Sequence, residues 1–433
     1  MKAYRSALLR FNQSPDATGE AVYESDGLLV TSADEKGVQI VRAAGSWATL
    51  QGEYAGIDVE HLPGRLIAPG FVDLHLHYPQ TDIIGSPAPG LLPWLENYTF
   101  PEEARFSDPV HSAASARFFV DELMRHGVTS ALVFASAHTA SVEALFQVAQ
   151  ARRMRMVTGL CLMDRHGPAS VLNQTGQSLA DSESLIQKWH GQDRLGYAIT
   201  PRFAPSCSDA QLCGAGQLAA RYPDVWIQSH VAENPDEIAW ARELFPASRS
   251  YLSVYDDFGL MRNKALYAHC IHLDAHDWAL MRATGAAASV CPTSNLFLGS
   301  GFFDFAAAQS AGVQHGLASD VGGGTSFSPF HTMLAAYYVG RTALQGATPK
   351  AGLSLSPQHL WWLHTAGAAQ AMGWGNLVGS LQVGCEADFV VLNPGATPLL
   401  QRRTQRANSL DELLFSMIVL GDDRLIERTV LAG

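Results

Sequence analysis

His75 and His77 stand one residue apart at the end of the run Pro69-Gly70-Phe71-Val72-Asp73-Leu74-His75-Leu76-His77. The apolar run reads as a buried strand, and side chains two apart on a strand point to the same side. Both imidazoles can therefore reach one point in space. Neutral imidazole is the commonest metal ligand, so the pair points to a divalent-cation site on a rigid mount. Taken alone, two packing histidines among the 16 of the chain is the plainer reading. Other candidates close later strand-like runs: His230 in Gln228-Ser229-His230-Val231-Ala232-Glu233-Asn234, His269 in Tyr267-Ala268-His269-Cys270, and Asp320 in Leu317-Ala318-Ser319-Asp320-Val321-Gly322. Three imidazoles and a carboxylate can hold a divalent ion and leave a position for water, the open geometry of a catalytic zinc site. Such an ion ionises its water near neutral pH and so makes a nucleophile. Singly, His269 reads as structural, Asp320 as a turn residue before glycines, and Glu233 as a cap for a helix beginning near Pro235. Their recurrence at strand ends is what points to a site. His126, His138, His166, His190, His315 and His364 do not complete the pattern, and His272 comes nearest to doing so.

The elements that must position these residues alternate strand and helix. Strand-like runs fall at 66–77, 129–134, 156–160, 195–200, 225–230, 266–269, 288–290 and 313–317, with helix-like stretches between most of them, such as 112–126, 141–152 and 209–221. Eight strands in about 300 residues fit an α/β fold of the (β/α)8 TIM-barrel type, whose chemistry lies at the C-terminal ends of the strands. A doubly wound sheet would need a glycine-rich dinucleotide fingerprint, and none is present. Gly322-Gly323-Gly324 lacks both the P-loop lysine and the G-x-G-x-x-G register. Short β-like runs broken by Gly, Asp and Pro mark both ends of the chain, and the two sets are too small to hold separate cores. They predict a small β-sandwich built from residues 1–66 and 376–433 around a metal-binding barrel at 67–375.

The 433 residues are 47% hydrophobic, enough for a large core. A formal net charge of -12 argues against nucleic-acid and anionic-membrane partners. The six cysteines show no C-x-x-C pair and no disulfide spacing. No signal-peptide core follows Met1, and no apolar run approaches the ~18 residues of a membrane span. The expected setting is the cytoplasm.

The Pro-Gly-Phe-Val-Asp-x-His-x-His run, the later histidines and Ser319-Asp320 together resemble the amidohydrolase superfamily over nearly the whole chain. Within it, three stretches are similar to the guanine-deaminase family: His77-Tyr78-Pro79-Gln80-Thr81-Asp82-Ile83-Ile84-Gly85 with Leu92-Pro93-Trp94-Leu95-Glu96-Asn97-Tyr98-Thr99-Phe100-Pro101-Glu102, then Thr200-Pro201-Arg202-Phe203-Ala204-Pro205-Ser206-Cys207, and the run from Gln228 to Asn234. Binuclear sites of this architecture need a bridging ligand, often a carbamylated lysine at the end of the fourth strand. None of the five lysines (Lys2, Lys36, Lys188, Lys264, Lys350) lies there. The expectation is one zinc ion per subunit on His75, His77, His230 and Asp320, with His269 contacting bound water or substrate.

The resemblance further implies a purine-base substrate, contacted by Gln80, Arg202 and Phe203 and bordered by His77, His230, Glu233 and Asp320. Glu233, His269 and Asp320 would be catalytic: Asp320 takes a proton from water, Glu233 relays protons to a ring nitrogen and the departing amine, and His269 orients the nucleophile. The segment 83–106 would serve as a lid. A homodimer is implied in the same way. The cytidine-deaminase signature, H-x-E with P-C-x-x-C, is absent. Two other readings stay open at this point: a deaminase of a related aminated heterocycle such as ammeline, and a non-catalytic scaffold that binds proteins through the same barrel.

Overall fold

The structure is a computed structural model that describes residues 1–11, 21–35, 37–342 and 353–433. Lys36 and Lys350 lie outside the described residues. Eight parallel strands follow one another around a nearly closed sheet. They are β1 (Phe71–His77), β2 (Val128–Phe134), β3 (Arg155–Gly159), β4 (Leu195–Pro201), β5 (Trp226–Val231), β6 (Ala265–His269), β7 (Ala287–Val290) and β8 (His315–Leu317). Helices cover the outside, as a parallel sheet requires. The chain is thus a (β/α)8 barrel. Alternation sorts the side chains: Val72, Leu74, Leu132, Val157, Ala198, Leu266 and Ala268 fill the barrel interior, whereas Ala131, Val133, Met156, Ile199 and Tyr267 face the helices.

The helices begin where the sequence supplies caps. Asp108 accepts from the Val110 amide ahead of Pro109, so the helix expected at 112–126 spans Pro109–Arg125. Ser208 caps Asp209–Arg221 through the Gln211 amide.

The terminal segments pair with each other in one six-stranded sheet. Its order is Ile426–Val430, Phe389–Leu392, Val59–Pro69, Lys2–Arg10, Val22–Ala33 and Gln39–Ser46. Apolar layers cover both faces, one around Tyr4, Leu29, Ile67 and Phe389, the other around Ala3, Leu28 and Val30. The run expected as a single strand over 66–77 is divided at Gly70, where the chain passes from this sheet into the barrel. A Cβ at Gly70 would sit 2.2 Å from Thr129 Oγ1, so only glycine allows the crossing so close to β2.

A buried ion network joins the two parts. Arg194, just before β4, pairs with Asp388 and with Glu386, and Arg155 also pairs with Glu386. Arg194 is 6% exposed and Asp388 only 1%. Desolvation makes such a network expensive to break one partner at a time. Among the described residues, no helix is long and apolar enough to cross a membrane. Asp388→Ala should lower unfolding stability by about 3 kcal/mol, because it leaves the Arg194 guanidinium buried with half its compensation. Urea titration followed by circular dichroism checks this, and a change within 0.5 kcal/mol, the range of ordinary surface substitutions, would show that the network contributes little.

Candidate metal centre and base pocket

Barrel closure brings the first and last strands into register. The Asp320 amide donates to the His75 carbonyl (2.8 Å) and the His77 amide to the Val321 carbonyl (2.5 Å). Asp73 adds a side-chain tie, its carboxylate accepting from the Ser319 amide at 3.1 Å. Asp320 thereby sits over β1 although 243 positions separate it from His77 in sequence.

Strict alternation from Val72 and Leu74, both interior, would turn His75 and His77 outward among the helices. They face inward because β1 carries a bulge. Asp73 pairs with Ala131 and Leu76 with Val133, so one extra residue of β1 lies between the two pairings. The bulge re-aims the strand end. It sends Leu76 into the outer core and both imidazoles into the mouth.

The Nε2 atoms then converge. His77 lies 3.2 Å from His75 and 3.1 Å from His230, and Asp320 Oδ1 lies 3.2 Å from His75 and 3.4 Å from His77. Nitrogens about 2.0–2.1 Å from a tetrahedral zinc are about 3.3 Å apart, so the spacing of His75, His77 and His230 fits such an ion. Burial first, and neighbouring positive groups second, hold the pKa of His77 and His230 well below the usual imidazole value. Both are therefore neutral, as ligands must be. The His230 Nδ1–H donates to the Arg202 carbonyl at 2.5 Å, which leaves the Nε2 lone pair facing the cluster. Cys291 approaches His75 and Asp320 as well, but its Sγ–H points to the Ser289 carbonyl at 3.5 Å. Of the lysines, Lys2, Lys188 and Lys264 are engaged elsewhere, with the Gly433 carbonyl, Glu143 and Asp224.

His269 arrives by a different device. Its neighbour Ala268 is interior and Tyr267 exterior, so alternation alone would send His269 outward. Left-handed backbone at His269 (φ 72°) and Cys270 (φ 51°) turns the ring into the mouth. Non-glycine residues in this region are uncommon and cluster at functional sites. Asp320 shares it (φ 52°). His269 Nε2 lies 3.3 Å from Glu233 and 3.9 Å from Asp320, and His269 gathers with His75, Cys291 and Asp320 within 4.8 Å. Its Nδ1 donates to Asn295 Oδ1 at 2.8 Å. Burial opposes charge on His269, but the facing carboxylates outweigh it and raise its pKa. Glu233 does not cap the following helix; Asn234 does, in a capping box with Glu237. Glu233 is left facing the cleft, where burial pushes its pKa up to about 7. Ser300 Oγ donates to it at 3.0 Å, and His272 contacts the Ser300 carbonyl, one step farther out.

His77, His230, Glu233, His269 and Asp320 line one cleft together with Gln80, Arg202 and Phe203. Gln80 lies on a short 3₁₀ helix, Tyr78–Ile83, and Arg202 and Phe203 follow β4. The segment expected as a lid is a helical strap. Leu91, Trp94 and Leu95 on it cover the cleft, and a π-helical turn at Leu95–Thr99 leads into Phe100–Ala104. The triple glycine lets the loop after β8 lie against the site. A Cβ at Gly324 would come 1.7 Å from the Ser319 carbonyl, and one at Gly322 would come 2.3 Å from that of Gln80.

One buried carboxylate beside the cleft is not among the residues singled out by motif or spacing. Glu103, 1% exposed, accepts from Gln80 Nε2 (2.8 Å) and from Arg202 Nη1 (2.6 Å). In the run Phe100-Pro101-Glu102-Glu103-Ala104-Arg105 it is one of two adjacent glutamates and carries no motif of its own. The only available hint was its position on the segment read as a lid.

Converged neutral imidazoles and a carboxylate at the C-terminal mouth of a (β/α)8 barrel define a metal-dependent hydrolase. Residues 66–433 match the amidohydrolase family, and the chain belongs to that family. Over its whole length it is 40% identical to guanine deaminase from Escherichia coli K12, covering 97% of that protein. The solved structure of the E. coli enzyme superposes with a TM-score of 0.94 over 100% of this chain and 98% of that one. A guanine deaminase from Clostridium acetobutylicum, solved with guanine in its active site, superposes at 0.89 with 30% identity, over 100% and 99%. The triazine hydrolase atrazine chlorohydrolase from Arthrobacter aurescens, at 16% identity and TM-score 0.81, shares the fold.

His230→Ala should remove a ligand from the cluster without touching the outer core. Elemental analysis of the purified variant should find metal reduced at least tenfold relative to the unaltered protein. Undiminished metal would place the ion elsewhere.

Proposed function

We propose that this chain hydrolyses guanine to xanthine and ammonia, using one zinc ion held by His75, His77, His230 and Asp320. The observation that carries the reading is the cleft at the barrel mouth. In it, converged imidazoles face a buried carboxyl titrating near neutrality, and hydrogen-bond donors stand ready for a planar polar ring. When bound, the ion supplies a water that ionises near neutral pH.

The chain's own residues do the rest. Asp320, whose carboxylate faces His269 at 3.9 Å, is the base toward the attacking water. Glu233, with a pKa of about 7, can hold or release a proton at working pH. It gives that proton to a ring nitrogen, the proton that Asp320 took from water passes to the amine as the exocyclic C2–N bond breaks, and Glu233 regains a proton from the new C2 hydroxyl as it becomes a carbonyl. Water adds its oxygen to C2, ammonia leaves, and the ring keeps a second carbonyl. His269, fixed by Asn295, orients the nucleophile. Gln80 and Arg202 hold the polar ring edge, Phe203 packs on the ring face, and Leu91, Trp94 and Leu95 keep bulk water out.

The proposal extends to a cytoplasmic homodimer whose partner is the purine base alone. The formal charge of -12 supports the exclusion of nucleic acid and anionic membrane. Incubation with guanine should release xanthine and ammonia in equal amounts, activity should fall on chelation and return with zinc, and ammeline, adenine and 8-oxoguanine should be poorer substrates. A preference for any of these over guanine would overturn the substrate assignment. Glu233→Gln should retain metal yet lose turnover by about 10²–10⁴-fold, the usual scale for general acid–base groups; normal rates in that variant would remove the proton-carrying role.

A further inference from the structure

The cleft presents donors on one side, and Glu103 is the reason. An ionised carboxylate accepts hydrogen bonds and cannot donate them. Glu103 spends one oxygen on Gln80 Nε2 and the other on Arg202 Nη1. An amide side chain can ordinarily turn over, exchanging donor and acceptor. Here both ends of the Gln80 amide are specified. Its nitrogen is drawn to Glu103, and its oxygen accepts from the Gly322 amide at 3.3 Å. The second N–H of Gln80 is what remains for a ligand. Arg202 has donors only, and its guanidinium is held between Glu103 and the Phe100 ring, 5.4 Å from the ring centre. Glu103 itself does not line the cleft.

We infer that Glu103 is a positioning residue that sets substrate selectivity: by locking Gln80 and Arg202 as paired donors, it requires an acceptor on the facing ring edge and so selects oxo-purines over amino-purines. An exocyclic amine there would oppose donor to donor and leave buried N–H groups unpaired, the situation that gives polar sites their strongest discrimination. The inference deepens the guanine reading and rests on it for the identity of the ring, but not for the polarity of the edge.

The test uses two purines that lack the 2-amino group, hypoxanthine (6-oxo, N1 protonated) and adenine (6-amino, N1 unprotonated). Their dissociation constants are measured by calorimetry on the zinc-loaded full chain. The unaltered protein should bind hypoxanthine at least 100-fold more tightly than adenine. Glu103→Gln keeps the shape but lets the Gln80 amide turn over, and should contract that ratio tenfold or more with metal content unchanged. A general loosening of the pocket would weaken both ligands alike, and equal weakening with the ratio preserved overturns the inference. A ratio near one in the unaltered protein overturns it without any variant, so misfolding of Glu103→Gln does not shelter it. Failure to turn over guanine while the oxo preference and its contraction persist would instead sink the assigned reaction and leave the role of Glu103 standing.

Discussion

The site depends on gathering imidazole nitrogens from separate strands into contact while keeping them uncharged. Neutral nitrogens 3.1–3.2 Å apart tolerate one another; protonated ones at that distance would repel strongly in a buried place. Burial supplies the neutrality, since desolvation penalises the imidazolium. The closed barrel supplies the convergence. The backbone bonds of Asp320 and His77 across the β1–β8 seam, with the Asp73–Ser319 tie beneath, bring the carboxylate to the same point.

Around that cluster the polar groups fall into two sets. Glu233 and His269 face each other and the metal cluster, so their protonation states depend on one another. Gln80 and Arg202 form the other set, their side chains tied to Glu103. The two sets meet at Arg202, whose side chain pairs with Glu103 while its backbone carbonyl accepts from His230. The strap that brings Trp94 and Leu95 to the cleft also carries Glu103, so the cleft lining and the tie to Gln80 and Arg202 come from one continuous segment.

Much was legible in the residues themselves. Eight strand-like runs with helices between them specify the barrel, because a parallel sheet buried on both faces needs continuous apolar runs and crossover helices. The pairing of the two chain ends was legible too, since neither set of short strands can bury a face alone. So was the shared side of His75 and His77, which follows from strand periodicity. Glu103 was not legible. Its importance lies in contacts with Gln80, 23 positions away, and Arg202, 99 positions away, and nothing in its own neighbourhood distinguishes it from a solvated helix charge.

By itself, the sequence determined which groups are available and which of them share a strand end, because those properties follow from residue type and local period. Tertiary structure alone decided which way they point. Periodicity places His75 and His77 together but does not choose inside from outside. The extra residue of β1 against β2 makes that choice. For His269 periodicity gives the wrong side, and left-handed backbone at the strand end reverses it. Both departures have local energetic costs that only the surrounding packed barrel can offset, and for that reason they cannot be read from the residues that carry them.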